Sequence, residues 1–292
     1  LKAIDLFVSS TGSIDKNYDM YSIKEDAVPA DIFFHLGHAY HLNEEFDNAV
    51  KNYNKFLEIT RKDSELIEYA ERGIAQCNVA KNLIENPKDV IIENLGDSIN
   101  TEFADFSSNI SLDGRALYYT SRRPWADGAS NGFKDPMMNH YPEDIYQATL
   151  SKENIWMAPV KMDLCKPNFN EASVSVSIDE RRVYTYNDKK GNGDIYFSDL
   201  KKGTFTPIAP IGKTGVNTET RWETHYTVSP DGNMAFFVSD KESGYGHRDI
   251  YYMEKENGIW SEPKNMGGTV NSKWDEDAPF MGLDNNVLYF SS

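Results

Sequence analysis

Cysteine is nearly missing from this chain of 292 residues: there are two, Cys77 and Cys165. So sparse a supply excludes a disulfide-stapled scaffold and leaves core packing to hold the fold. The two fall in different segments of the reading below, so free buried thiols are expected rather than a bridge. Long apolar runs are missing too. Without a stretch of about 18 apolar residues, no membrane-spanning helix is expected. Positive charge is short, with 30 Lys and Arg against 46 Asp and Glu, a formal net charge of −16. That excludes general nucleic-acid binding, which needs a basic face against phosphates. It also excludes adhesion to anionic lipid by charge alone. Glycine (19) and proline (12) are close to average, so the chain is not of low complexity. A starting Met is missing as well. Leu1 comes first and no charged-then-apolar leader follows, so a processed or trimmed piece is expected.

What the chain does hold is aromatic: 17 Tyr, 15 Phe and 5 Trp. That is ample for a core, and the Tyr excess points to half-buried strands. Two textures divide it, a helical segment over residues 1–93 and a β-rich one over 94–292. The expected fold is therefore α + β and multidomain.

In the first segment, Ala30 to Leu42 carries apolar residues at helical spacing, and Asn43-Glu44-Glu45 breaks it. A second amphipathic helix follows, with Phe46, Ala49, Val50, Tyr53, Phe56 and Leu57 on one face. A short break between two such helices makes an antiparallel hairpin. Leu1 to Val8 reads as one flanking helix. Ser64 to Glu85 reads as another, with Ser64 as its cap and Pro87 as its stop. Phe33, Leu36-Gly37, Tyr40, Ala49 and Tyr53 stand at the offsets of a tetratricopeptide repeat, which this hairpin resembles. Gly37 and Ala49 are small where the helices are expected to cross closely. Arg61 stands where the repeat usually ends in Pro.

In the second segment a set of landmarks recurs. Ser111-Leu-Asp-Gly114, Ser177-Ile-Asp-Glu180, Ser229-Pro-Asp-Gly232 and Gly282-Leu-Asp-Asn285 are tight turns between two strands. Eight residues before each turn Asp stands an acid: Asp105, Glu171, Glu223 and Glu276. A Tyr/Val/Phe-rich strand follows each turn. Asp-Ile-Tyr comes next at 144–146, 194–196 and 249–251, then an aromatic with Pro: Trp156 with Pro159, Phe205 with Pro207, Trp260 with Pro263. The turn aspartates 113, 179, 231 and 284 are 66, 52 and 53 residues apart. A period near 50 with four strands per unit is the mark of propeller blades. These units resemble the WD40-like repeat called PD40, related to the blades of TolB. Three complete blades and part of a fourth cannot close a ring, so the chain is expected to continue beyond Ser292.

Several features look chemical. Gly128-Ala-Ser-Asn-Gly132 spells a nucleophile elbow, but its neighbours read as loop rather than strand and helix. The turns lack the residue between Asp and Gly that a sialidase Asp box has. His35, His38 and His41 are spaced three apart on one helix; adjacent pairs could bind zinc, but no third or fourth ligand is evident. Asp188 to Asp194 has calcium-loop composition, but lysines and a missing Glu spoil it, leaving a hairpin turn. The acids Asp105, Glu171, Glu223 and Glu276 recur in every blade, which points to architecture rather than catalysis. No catalytic residue, metal site or cofactor is expected.

Two surfaces remain as partner-binding candidates. On the first hairpin helix, Asp31, Phe34, His38 and His41 share the face that grips peptides in tetratricopeptide repeats, a role the resemblance implies. The other is an insertion. From Ser121 to Asp144 takes 23 residues, against 7 from Asn187 to Asp194 and 10 from Ser239 to Asp249. It holds Arg122, Arg123, Trp125, Phe133, Met137, Met138 and Tyr141, and apolar residues in a long loop favour a contact surface.

The order of a tetratricopeptide unit and a PD40 propeller resembles the OmpA-family periplasmic lipoproteins, including PorE-like components of the type IX secretion system. The joint Val90-Ile-Ile-Glu-Asn-Leu-Gly96 and the stretch Trp222 to Gly232 share the resemblance. It implies a non-enzymatic scaffold at the periplasmic face of the outer membrane. The implied partners are other envelope or secretion-system proteins. Peptidoglycan and membrane would be reached only through an OmpA-like domain and a lipid anchor that this sequence does not contain. The competing expectation is a glycan- or muropeptide-binding module, or a glycosidase-like enzyme.

Overall fold

The structure is a computed structural model that describes residues 2–23, 26–126, 134, 139–189, 191–212 and 214–292, the side chains of 173 and 174 excepted. The chain divides into two compact units, Leu1–Ile92 and Glu93–Ser292.

The first unit holds four helices among the described residues: α1 (Lys2–Ser10), α2 (Asp31–Leu42), α3 (Phe46–Ile59) and α4 (Leu66–Glu85). None is long and apolar enough to cross a membrane. The amphipathic face read from the sequence is the one that packs. Ala49, Tyr53 and Phe56 are buried, with Phe46, Val50 and Leu57 half-buried beside them. The Glu45 carboxylate ties the break, accepting from Asn43 Nδ2 (2.7 Å) and Asn48 Nδ2 (2.8 Å). The Ser64 hydroxyl accepts the Leu66 N–H at 3.3 Å, at the start of α4. A short parallel pair that the sequence did not announce, β1 (Ile14–Asp15) and β2 (Val28–Pro29), lies between α1 and α2.

The second unit is a succession of antiparallel sheets. The first blade is β3 (Asp105–Ile110), β4 (Ala116–Ser121), β5 (Asp144–Thr149) and β6 (Val160–Lys161). The second runs β7 (Glu171–Val176), β8 (Arg182–Asn187) and β9 (Asp194–Lys201), then β10 (Thr204–Phe205) and β11 (Ala209–Pro210). The third runs β12 (Glu223–Val228), β13 (Met234–Ser239) and β14 (Asp249–Glu256), then β15 (Ile259–Trp260) and β16 (Lys264–Asn265). β17 (Asp277–Met281) and β18 (Leu288–Ser291) begin a fourth. In the second and third blades the outer edge is two short pairs on one strand rather than a single strand. Pro207 and Pro263 fall at the gap between the pairs, where a missing N–H interrupts the ladder.

The first strands β3, β7, β12 and β17 neighbour one another in turn, and so line a common axis. This is the radial arrangement of a β-propeller. Each carries a bulge against its second strand. At three of the bulges a non-glycine residue is left-handed: Ser107 (φ 49°), His225 (51°) and Ala278 (50°). Such a conformation costs of order 1–2 kcal/mol, and its recurrence marks it as part of the blade design.

The Ser-x-Asp turns behave as their chemistry dictates. The hydroxyls of Ser111, Ser177 and Ser229 donate to the Asp two residues on at 2.6–2.7 Å. The same hydroxyls accept a backbone N–H at the start of the next strand.

Candidate functional site

The recurring acids are the hubs of the blade seams. Asp105 accepts from the Thr101 N–H (2.7 Å) and hydroxyl (2.9 Å). Glu223 accepts from the Thr218 N–H (3.1 Å), the Thr218 hydroxyl (3.0 Å) and Ser239 (3.1 Å). Glu276 accepts from the Ser272 N–H (2.8 Å), the Ser272 hydroxyl (2.5 Å) and Ser292 (3.0 Å). In each case the carboxylate satisfies a loop that enters the blade, which is the architectural role its repetition suggested.

One residue before each of those hydroxyls stands an Asn that the sequence reading missed. Asn217 accepts the Ile195 N–H and donates to the Ile195 carbonyl, and Asn271 does the same for Ile250. Each stitches the third strand of one blade to the entry of the next. The recurrence of Asn100-Thr101, Asn217-Thr218 and Asn271-Ser272 before the acids was the available signal.

The seam between the first two blades departs from this pattern. Cys165 takes the place of Asn, its sulfur accepting the Ile145 N–H at 3.1 Å. Lys166 takes the place of Thr or Ser and offers Glu171 only its backbone N–H, at 3.3 Å. Asn187 replaces the strand-end Ser and donates to Glu171 at 2.9 Å. Burial pushes the Glu171 carboxyl up to about 8, with the nearby Asp144 and Asp188 charges adding to it. Burial likewise raises Glu223 to about 7, and it pushes the Cys165 thiol well up.

Asp144, Cys165 and Glu171 have ligating atoms within 4.8 Å of one another, the one such group of three among the described residues. A thiol and two carboxylates could serve a divalent cation. However, the three positions are those of the ordinary seam, and Cys165 and Glu171 are engaged by the protein's own groups.

The insertion leaves beside this seam, the Glu143 carbonyl accepting the Glu171 N–H at 2.9 Å. Arg122 pairs with Glu143, closing the ends of the loop. The Arg123 guanidinium lies 5.4 and 4.9 Å from the Tyr119 and Tyr146 ring centres, 2.8 Å from Asp105 and 2.6 Å from the Ile99 carbonyl. Trp125 donates its indole N–H to Asp144 at 2.7 Å, and Lys161 sits 4.3 Å over its ring. In the third blade, loop backbone N–H groups of Tyr245 and Gly246 serve Asp249 instead. So Arg122, Arg123 and Trp125, expected on a partner surface, hold the loop to the propeller through these contacts. Tyr141 meets the Phe103 ring edge-on at 6.0 Å, with Lys134 over its face. Phe133, Met137, Met138 and the 128–132 motif lie outside the described residues.

The four helical candidates do not form one open face. Phe34 packs on Tyr53 and Phe56, each at 5.8 Å, and His41 meets Phe46 and Tyr53. Both turn toward α3, because a half-turn of α2 must fill the hairpin core. Burial and the neighbouring His38 lower the His41 pKa. His38 is exposed, and Asp31 lines a separate cavity of about 340 Å³ with Lys16, Arg61 and Asp63.

Along the axis, the bulged strands line a small cavity of about 80 Å³ with Ser107, Ser108, Ser175 and His225. His225 Nδ1 lies 2.6 Å from Asp277, which Arg248 also contacts at 3.1 Å.

No family model matches the chain, and no curated protein matches it. Solved structures do. A TolB protein from Agrobacterium tumefaciens is 16% identical with a TM-score of 0.41, covering 66% of this chain and 60% of its own. TolB from Acinetobacter baumannii is 17% identical with a TM-score of 0.34, covering 53% and 31%. The gluconolactonase XC5397 from Xanthomonas campestris is 14% identical with a TM-score of 0.36, covering 63% and 52%. The chain spans less than two thirds of the length of each of these proteins.

Proposed function

We propose that this chain is a non-enzymatic protein-binding scaffold of the cell envelope, made of a tetratricopeptide-type helical repeat and a PD40 propeller. In this reading it is the scaffold portion of an OmpA-family periplasmic lipoprotein. That protein would link an assembly such as the type IX secretion machinery to peptidoglycan. One observation carries the reading: of the recurrent blade carboxylates Glu171, Glu223 and Glu276 are buried and Asp105 is half-buried, and all four are occupied by the protein's own donors, which leaves no pair of free carboxylates for glycoside chemistry there.

The test is a pull-down from envelope extract with the full protein. One variant has the loop between Ala126 and Asn139 shortened, and another carries His38→Ala. Loss of a defined partner in either supports the scaffold reading. Retention of every partner by both variants together sinks this assignment of surfaces. A second reading, an enzyme acting at the axis, has the His225–Asp277 pair beside three serines in its favour. Turnover of a muropeptide or peptide library, lost in His225→Ala, would select it.

A further inference from the structure

The residue between Ser or Gly and Asp in each turn is apolar: Leu112, Ile178, Pro230 and Leu283. A single-blade view gives no reason for this, since turn positions tolerate polar residues. The structure supplies one. All four line the same cavity, at the turn end of the axis, continuous with the deeper one through Asn109, Thr227 and Phe280. Leu112 is 59% exposed, Ile178 41% and Leu283 60%. The exposed aliphatics of successive blades thus converge on one mouth.

The cavity's size decides the class of occupant. Its volume is about 50 Å³. A water needs about 10–15 Å³ on such a measure, so a few heavy atoms fit. Small-molecule pockets run to about 300–1,000 Å³. Even with the adjoining cavity of about 80 Å³, the mouth is sized for one side chain.

The rim decides the charge of what surrounds that side chain. Next in sequence to the apolar residues are the exposed Asp113, Asp179, Asp231 and Asp284, while Glu180 lies on the cavity wall itself, where it accepts from the Tyr118 hydroxyl at 3.2 Å. Hydrogen bonds from the turn serines hold Asp113, Asp179 and Asp231 below the usual carboxylate range, so they are charged at neutral pH. The matching cations are fewer. Arg115 donates to the Leu150 and Ser151 carbonyls while its charge still acts on Asp113, Arg181 acts on Asp179, and Arg182 pairs with Asp199, which leaves the acids of these turns in excess.

We propose that the turn-end mouth of the propeller axis takes a single aliphatic side chain from a basic segment of a partner protein. The proposal rests on the protein-binding reading above and names its surface. Acid rim charges steer the encounter and favour Lys or Arg on either side of the inserted residue.

The probe is a fluorescein-labelled peptide, Gly-Lys-Lys-Leu-Lys-Lys-Gly, with a photoreactive leucine analogue at its centre. Its counterparts carry Ser at the centre, or Glu in place of Lys. On the full protein, the Lys/Leu peptide is expected to cross-link to the turns at 110–112, 178, 230 and 283. Its affinity should fall about tenfold or more in Leu112→Ser/Ile178→Ser/Leu283→Ser, and also when salt is raised. These positions are exposed, and an unchanged melting curve for the variant keeps the comparison clean. Equal binding of the Glu or Ser peptides overturns the proposal. So does cross-linking confined to the helical unit, which leaves the protein-binding reading standing. No peptide binding while the pull-down retains a partner overturns the mouth alone. No binding in either experiment overturns both.

Discussion

Asn217 accepts the backbone N–H of Ile195 at 2.8 Å and returns its own N–H to the Ile195 carbonyl at 2.8 Å. The side chain acts as a two-bond stitch between the second blade and the entry to the third. Replacing it with Ala strands two backbone groups at the buried Ile195. An unsatisfied buried group costs about 1–3 kcal/mol, so Asn217→Ala should lose about 2–4 kcal/mol in urea unfolding. Asn271→Ala should match it at the next seam. Cys165→Asn should move the other way, by about 1 kcal/mol, because an amide replaces a weak sulfur acceptor. If Asn217→Ala unfolds at the parent's urea midpoint, the stitch is ornamental.

Glu171 sets a pH dependence whose sign follows from its seam. Unfolded, it titrates near its ordinary 4.5; folded, it keeps its proton up to about 8. Between those values the folded state binds the extra proton, so stability falls as pH rises through the window. Glu223 acts the same way up to about 7. Glu171→Gln mimics the protonated form. It should equal the parent near pH 5 and unfold at higher urea than the parent near pH 9. Parallel midpoint-against-pH curves for the two proteins would show that Glu171 does not titrate with folding.

Much of this architecture is legible in the sequence. The 3.6-residue spacing from Phe46 to Leu57 located the packed face of α3, and the Ser-x-Asp landmarks placed the blades in register. What failed to show was relational. Nothing local distinguishes Arg123 on a contact surface from Arg123 clamped between two tyrosines, since that depends on where Tyr119 and Tyr146 come to lie. The bulge at His225 is equally silent, because a left-handed non-glycine residue has no sequence signature of its own. Repeat register alone does not show that α2 turns Phe34 toward Tyr53 and Phe56 to fill the hairpin core. The Asn before each acid was visible, but its meaning depends on a strand about 22 residues earlier in the chain (Ile195 to Asn217, Ile250 to Asn271).

Arg123 gives a direct test of the loop's root. Its side chain is 12% exposed and pairs with Asp105, itself 10% exposed. Removing one partner of a buried pair leaves the other charge uncompensated, at about 3–5 kcal/mol. Arg123→Ala should therefore destabilise by about 3 kcal/mol or more. Arg123→Lys should recover only part of this, because an ammonium cannot lie flat between two rings while reaching a carbonyl and a carboxylate. Full rescue by Lys in thermal melts would reduce the site to simple charge pairing.

Tyr53 supplies the corresponding test for the helical unit. Its ring lies between two glycines, one on α2 and one on α4. A Cβ at Gly37 would come within 2.8 Å of ring atom Cδ1, and one at Gly73 within 2.7 Å of Cε2 and Cζ. The ring is 2% exposed and cannot retreat from one glycine without meeting the other. On helix propensity alone, Gly73→Ala should gain up to about 1 kcal/mol. Overpacking against a pinned ring costs about 1–3 kcal/mol, so the clash should win and the variant should melt lower. Tyr53→Leu removes the obstructing ring atoms. In that background Gly73→Ala should become neutral or stabilising, a coupling that a double-mutant cycle reads directly. Additive effects of the two changes would mean that the glycine is there for the helix and not for the ring.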